Sequence, residues 1–270
     1  MALRIVSLNC WGGRVYEPLM NYLREVDADV YCLQEVFNTS EPMPAWLRFM
    51  ESQAEHLVRP NLFQEIAALL PEHRAMFFPA VRGYLHDRAN VDFPIEYGLA
   101  TYVHNVLPII GEAVQFVFGE FRPRAWGEPP LPRNAHSVRI FDYRKDEPVT
   151  ITHMHGLWQK EGKGDTPARI GQGLILASMV ENMCKEGEKV IVCGDFNLLP
   201  ESQTFDDLQM LGLHDLVVGR GYTDTRTSYY KKTPRFADYM LVSDAVEVRK
   251  FDVPASPEVS DHRPLVLDFN

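Results

Sequence analysis

The sequence is poor in several things, and each shortage argues against a class of protein. Cysteine is scarce: Cys10, Cys32, Cys184 and Cys193 are the only four, and none forms a C-x-x-C pair. Three fall in strand-like apolar runs and one in a helical pattern. They read as free, mostly buried thiols of a reducing compartment, not as a disulfide framework or a structural zinc site. Long apolar runs are missing too, so no membrane span is expected. The opening M-A-L-R-I-V-S-L-N-C lacks the apolar length and cleavage pattern of a secretory signal. The expectation is a cytoplasmic protein with no membrane partner. Positive charge is short, with 27 Lys and Arg against 37 Asp and Glu and a net charge of -10. Long nucleic acid is gripped by a basic face, so this is a weak footprint for such a partner. A local basic patch stays compatible with it. No internal repeat and no low-complexity tract is present.

What is there suits an ordinary globular chain. The 270 residues are 46% hydrophobic and 24% charged. Leu3 to Asn9 alternates and is β-prone. Val15 to Val26 carries Leu19, Tyr22, Leu23 and Val26 at helical spacing. Ala28 to Leu33 is a short buried strand. The stretch from Pro44 to Leu70 has a helical pattern with a break at Pro60. Strands are expected near 74–80, 97–104, 109–118, 134–143 and 147–155. Asp165 to Cys184 reads as a helix, capped by Thr166 ahead of Pro167. Lys189 to Cys193 is a strand, Gln203 to Leu211 a short helix, and strands near 236–242, 246–253 and 264–269 close the chain. Hairpins outnumber β-α-β units. The pattern predicts an α/β (α+β) fold of mixed sheets packed face to face with helices outside, as a single domain over residues 1–270. The Pro- and Arg-rich stretch from Arg122 to Arg133 reads as a plain surface loop, with a substrate-facing flap as the sharper rival.

Six apolar runs deliver a polar group at or near an end. They bring Asn9, Gln34-Glu35, His153-Met154-His155, Asp195-Phe196-Asn197, Asp238 and Asp261-His262. Each alone has an ordinary explanation, such as a turn, an exposed strand end, a packed core histidine or an Asx turn. Together they point to one rim of a layered fold, where ligand sites form. His153 and His155 alternate, so both face one side of their strand. Asp238 sits in the otherwise apolar F-A-D-Y-M-L-V-S, and a buried acid needs a partner. His262 is the natural one.

In order along the chain, N-C-W-G-G, C-L-Q-E-V, T-H-M-H-G-L-W, G-D-F-N, A-D-Y and S-D-H-R-P resemble the endonuclease/exonuclease/phosphatase superfamily, the deoxyribonuclease I-like phosphoester hydrolases. The match runs from Asn9 to Pro264. G-D-F-N followed by S-D-H is specific in combination, whereas L-Q-E alone is weak. The resemblance implies a four-layer sandwich of two mixed β-sheets with helices outside. It implies that Glu35 binds a catalytic Mg²⁺, or Mn²⁺, with Asn9 and Asp261 completing or supporting the metal site. Oxygen ligands suit these ions. Asp195 and Asn197 match the pair that positions the attacking water and the phosphate. Asp238 matches the acid that holds His262, and His155 a histidine that bonds a phosphoryl oxygen. Members often show Asn-x-His at the last point. Here His153 replaces the Asn, and His155, followed by Gly156-Leu157, fits the histidine better.

Such a set performs in-line attack of water on an anionic phosphoester. The cation neutralises charge, a base takes the proton of water, and imidazole and amide donors hold the phosphoryl oxygens. Asp195 is the favoured base with His262 as phosphate stabiliser, and the His262–Asp238 pair is the rival base. Trp158, Arg169, Arg226 and His153 are candidates for substrate contact. Arg122, Arg124 and Arg133 with Trp126 make a modest cluster, in which Arg122 and Arg124 read as structural or solvated. A small phosphodiester or phosphomonoester, or a short oligonucleotide, is the expected substrate. A repair-type DNA or RNA nuclease and a catalytically silent binding module are the alternatives.

Overall fold

The computed structural model describes residues 2–51 and 54–270. Among the described residues, fourteen strands form two mixed sheets. The first sheet has eight strands, β1 (Leu3–Asn9), β2 (Val30–Asn38), β3 (Leu47–Glu51), β4 (Ala54–Val58), β5 (His73–His86), β6 (Asp92–His104), β13 (Val248–Asp252) and β14 (Leu265–Phe269). Their spatial order is β13-β14-β1-β2-β6-β5-β3-β4, and the pairing is antiparallel except between β1 and β2. The second sheet holds β7 (Ile109–Phe118), β8 (Arg133–Asp142), β9 (Glu147–His155), β10 (Lys189–Asp195), β11 (Leu213–Asp215) and β12 (Asp238–Ser243). Its order is β11-β12-β10-β9-β8-β7, with β9 and β10 parallel. Helices α1 (Tyr16–Val26) and α2 (Leu62–Leu69) cover the outer face of the first sheet. Helices α3 (Pro167–Met183), α4 (Gln203–Met210) and the short α5 (Leu216–Gly219) flank the second. This is the expected four-layer sandwich. Thr166 caps α3 through a bond from the Arg169 amide, and Pro167 starts the helix.

The two-residue period of a strand explains how the site is placed. Along β1, Leu3 and Ile5 join the core between the sheets, while Val6 and Leu8 pack under the helices. The same phase turns Asn9, at the strand's end, towards the facing sheet. In β9, Ile151, His153 and His155 share the inward face, as the alternation predicted.

One expectation is overturned. Of the helical pattern between Pro44 and Leu70, only Leu62–Leu69 is helical. Leu47–Glu51 and Ala54–Val58 form a hairpin at the sheet edge, and residues 52 and 53 lie outside the described residues. Helix-favouring residues yield there to strand pairing that buries Leu47 and Val58 completely. The long hairpin of β5 and β6 also reaches further than predicted, through residues 80–96.

All four cysteines are free. Cys10, Cys32 and Cys193 are buried and Cys184 is half-buried. Among the described residues, no helix is long and apolar enough to cross a membrane.

Candidate active site

Polar groups from all six runs meet at one rim, although Gln34 and His153 lie buried behind it. Register places His155 beside Asp195 and Asp195 beside Asp238, on the neighbouring strands β9, β10 and β12. Asn9 arrives from the opposite sheet. Its amide nitrogen donates to Glu35 Oε1 at 3.1 Å and to Asp195 Oδ2 at 3.0 Å. One side-chain amide therefore bridges two carboxylates drawn from different sheets. The amide's own oxygen accepts from the Trp11 amide at 2.9 Å, which fixes which end of Asn9 faces the acids.

Glu35 owes its direction to a bulge. The pairing of β2 with β6 runs from Leu33↔Ala100 to Val36↔Gly98, so β2 carries one extra residue there. Glu35 has a φ of 54°, in the left-handed region that non-glycine residues avoid. A bulge re-aims a side chain without ending a strand. The strand does not stop at Glu35, as the sequence suggested, but continues to Asn38. Gly98 opposite the bulge is required, because a Cβ there would lie 2.0 Å from the Phe78 carbonyl oxygen.

Two imidazoles overhang the carboxylates. His155 Nε2 lies 3.8 Å from Glu35 Oε1 and 3.7 Å from Asp195 Oδ2. His262 Nε2 lies 3.6 Å from the same Asp195 oxygen. His262 Nδ1 is held by both oxygens of Asp238, at 2.8 and 2.9 Å. Arg226 Nη1 donates to Asp261 Oδ2 at 2.8 Å and to His262 Nε2. Asn197 has a φ of 54°, its backbone amide donates to Asp195 Oδ1 at 3.0 Å, and its side chain donates to the Gly156 carbonyl at 3.3 Å. Ser260 ties the final loop to β1 by donating to the Asn9 carbonyl at 2.6 Å.

Burial sets the charges. It pushes His262 down to about 4, with the Arg226 cation adding to the effect and Asp261 and Asp195 opposing it. It drives His155 well below the ordinary histidine value, helped by Arg133, His262 and Arg226. It raises Asp238 to about 6 against the pull of Arg226. At neutral pH both rings are uncharged. With Asp238 accepting at Nδ1 and Arg226 donating at Nε2, His262 is the Nδ1–H tautomer, and its Nε2 accepts.

A divalent cation fits these residues. Glu35 Oε1 and Asp195 Oδ2 crowd one amide, and like charges so close call for a counter-ion. Asp261 Oδ1 is buried with no hydrogen-bond partner. The donors are oxygens, which suits a hard ion. Asp195, Asp238 and His262 also offer atoms within 4.8 Å of one another.

The site opens into a cleft of about 700 Å³. Trp158 and Arg226 line it, as expected, whereas two candidates do not. Arg169 is buried, and its guanidinium donates to the carbonyls of Leu157, Gly162 and Gly164, so it braces the loop before α3. His153 is fully buried between the sheets, bonded to Thr101 and Gln34. The Arg122–Arg133 stretch is a cleft wall as well as a loop. Trp126, Gly127, Pro129 and Leu131 face the cavity, while Arg122 holds the loop by donating to the carbonyls of Trp126, Glu128 and Pro130. Sequence reasoning missed Trp11, Arg14 and the run Tyr229-Tyr230-Lys231-Lys232, all on the cleft wall. Aromatic and cationic neighbours in Y-Y-K-K, just beyond Arg226, were the available signal. Tyr229 lies 5.7 Å from the Trp11 ring, and Arg226 stacks on Tyr230 at 4.4 Å.

The sandwich and the carboxylate–imidazole rim define a class, that of phosphoester hydrolases. The chain belongs to the Endonuclease/Exonuclease/phosphatase family, whose model matches residues 6–262. Members are hydrolases of phosphoesters and generally use a divalent metal. Solved structures of low identity share the fold. A mannosyl-6-phosphatase from Bacteroides thetaiotaomicron has 16% identity and a TM-score of 0.67, with 99% of each chain covered. The human Nocturnin catalytic domain with bound sulfate has 20% identity and a TM-score of 0.66, covering 100% of this chain and 93% of that one. TDP2 from D. rerio, complexed with a single-strand DNA product, has 16% identity and a TM-score of 0.64, covering 100% and 99%. No curated protein sequence matches the chain.

Proposed function

We propose that the protein is a Mg²⁺- or Mn²⁺-dependent phosphoesterase that hydrolyses a small phosphodiester or phosphomonoester, or a short oligonucleotide, by in-line attack of water. The observation that carries this is the Asn9 amide bridging Glu35 and Asp195 directly beneath two neutral imidazoles. Glu35 would hold the ion, with Asn9 and Asp261 beside it. When bound, the ion would neutralise charge on a phosphoryl or leaving oxygen.

The chain's own groups do the rest. His155 and the Asn197 amide donate to phosphoryl oxygens. Asp195 Oδ2 and His262 Nε2, 3.6 Å apart, bracket the attacking water. The base is the His262–Asp238 pair, the rival base of the sequence analysis, in place of Asp195. A neutral Nδ1–H ring cannot donate from Nε2 to a phosphate, so once a bound phosphate draws Arg226 Nη1 away from Nε2, His262 takes the proton of water and Asp238 steadies the imidazolium that forms. Arg226 and burial hold its basicity down before substrate binds. A phosphate drawn to Arg226 offsets that cation and makes the ring a better base. The cleft wall suits an anionic substrate carrying a ring or a sugar. Arg14, Arg133, Lys231 and Lys232 line it together with Trp11, Trp158 and Tyr229, although the whole chain is acidic.

The test is release of p-nitrophenol from mono- and bis-p-nitrophenyl phosphate. Turnover that needs Mg²⁺, stops with EDTA and is lost in Asp195→Ala is expected. Turnover indifferent to EDTA and to that substitution defeats the proposal.

A further inference from the structure

Behind the site runs a polar chain that the reaction as described does not use. Gln34 precedes Glu35 in the β2 bulge and is fully buried. Its Nε2 donates to the Cys32 carbonyl at 3.0 Å, which fixes the amide's orientation because a carbonyl only accepts. The same Nε2 lies 3.3 Å from His153 Nδ1. An amide nitrogen only donates, so His153 accepts at Nδ1 and carries its proton on Nε2. That nitrogen lies 2.8 Å from Thr101 Oγ1, which lies 2.7 Å from His136 Nδ1. The hydroxyl accepts from His153 and so donates to His136. His136 then carries its proton on Nε2, which makes no hydrogen bond and has Glu112 Oε1 at 3.5 Å.

From Gln34 to His136 the donors and acceptors run one way. The links cross the interface at each step, from β2 to β9, back to β6, and over to β8. Gln34, His153, Thr101 and His136 are each 0% exposed, in an interface lined mostly by apolar side chains. A buried polar group that loses its partner is destabilising, so each link holds the next in place. The chain ends at Gln34, whose neighbour Glu35 has an unfavourable left-handed backbone. The Gln34 carbonyl also accepts from the Cys10 amide at 2.9 Å, next to Asn9. Gln34 is thus tied to both sides of the Asn9–Glu35 contact.

We propose that the chain Gln34–His153–Thr101–His136 clamps the β2 bulge and so aims the Glu35 carboxylate, making Gln34 and His153 positioning residues for cation binding. The inference rests on the assignment of Glu35 as the ion's carboxylate. Groups that orient a metal ligand from behind usually contribute about 10–100-fold to affinity.

The experiment measures Mn²⁺ binding by calorimetry on the whole chain, apart from any turnover, for wild type, Glu35→Ala, His153→Leu and His153→Asn. Thermal melting is followed for each. Leucine fills the space but cuts the chain, so the dissociation constant should rise tenfold or more. Asparagine keeps one acceptor and one donor in a plane, and should bring affinity back to within about threefold of wild type. A role in folding alone would lower the melting temperature of His153→Leu and leave its affinity unchanged. That result, with Glu35→Ala still losing the ion, overturns the inference and spares the reading of Glu35. If Glu35→Ala binds Mn²⁺ like wild type, both fall. If His153→Leu does not fold, Gln34→Leu and His153→Asn carry the comparison. A Gln34→Leu variant with wild-type affinity, or His153→Asn as weak as Gln34→Leu, overturns it equally.

Discussion

His262 Nδ1 sits 2.8 and 2.9 Å from the two oxygens of Asp238, which leaves the ring's other nitrogen facing Asp195 at 3.6 Å. A carboxylate that grips one nitrogen fixes both the ring's plane and its tautomer. Asp238→Asn keeps the shape of the acid but presents an NH₂ that cannot accept from Nδ1. The ring then favours the wrong tautomer. General-base assistance contributes on the order of 10²- to 10⁴-fold, and kcat in phosphodiester hydrolysis should fall by that order with KM nearly unchanged. A fall below about threefold would remove the pair from the chemistry.

Acid should loosen the fold through its buried histidines. Burial pushes His136 down to about 3, and lowers His153 and His155 as well. A histidine whose folded pKa is depressed binds fewer protons folded than unfolded between the two values. Its stabilisation is therefore whole above about pH 6.5 and is lost as pH falls towards the folded pKa. Asp238, raised to about 6, acts in the opposite sense, because it holds its proton in the folded state where the unfolded chain has lost it. It offsets much of what His262, lowered to about 4, contributes over the same range. The remaining histidines decide the direction. The urea midpoint should drop steadily from pH 7 to pH 4.5, and the drop should be shallower in His136→Leu.

Much of the site was legible because strands repeat every two residues. That period carried Asn9, His155, Asp195 and Asp238 to one rim from sequence alone. Three features were not legible. The Glu35 bulge depends on Gly98 from another strand, where a Cβ would meet the Phe78 backbone. The β3–β4 hairpin was read as helix because residues such as Leu47, Met50 and Glu55 favour helix locally, and strand pairing at the sheet edge prevails over that preference. Arg169 looked like a cleft arginine by its place after H-G-L-W, yet three carbonyls left open by the loop claim it. The bulge has its partner on a strand distant in sequence, whereas the hairpin and Arg169 answer to backbone groups nearby that side-chain spacing does not reveal.

Arg226 holds the final loop against the site. It is 5% exposed, stacks on Tyr230 and pairs with Asp261 at 2.8 Å. Arg226→Ala strands a buried carboxylate, and breaking such a pair costs about 3–5 kcal/mol. The urea midpoint should fall accordingly. Adding Asp261→Asn should recover part of the loss, since no charge is then left unpaired. A double variant as unstable as the single would mean that packing on Tyr230, not charge, sets the cost.

Gly83 makes room for the cleft wall. A Cβ there would lie 2.4–2.7 Å from three atoms of the Trp126 indole. The indole rests flat on β5 at that point, donates from Nε1 to the Tyr84 carbonyl at 2.9 Å, and meets the Phe49 ring at 5.3 Å. Gly83→Ala must displace the indole, because a contact that close cannot be absorbed. The catalytic rim is built from other strands and should keep its geometry. Aromatic contacts are worth about 0.5–1.5 kcal/mol, or roughly 2- to 10-fold in affinity. KM for bis-p-nitrophenyl phosphate should therefore rise by about that factor while kcat stays within about twofold. Tryptophan emission should shift to the red as the ring leaves its aromatic neighbours. An unchanged KM beside a red shift would show that Trp126 moves without touching substrate, and would return the Arg122–Arg133 stretch to the role of a plain loop.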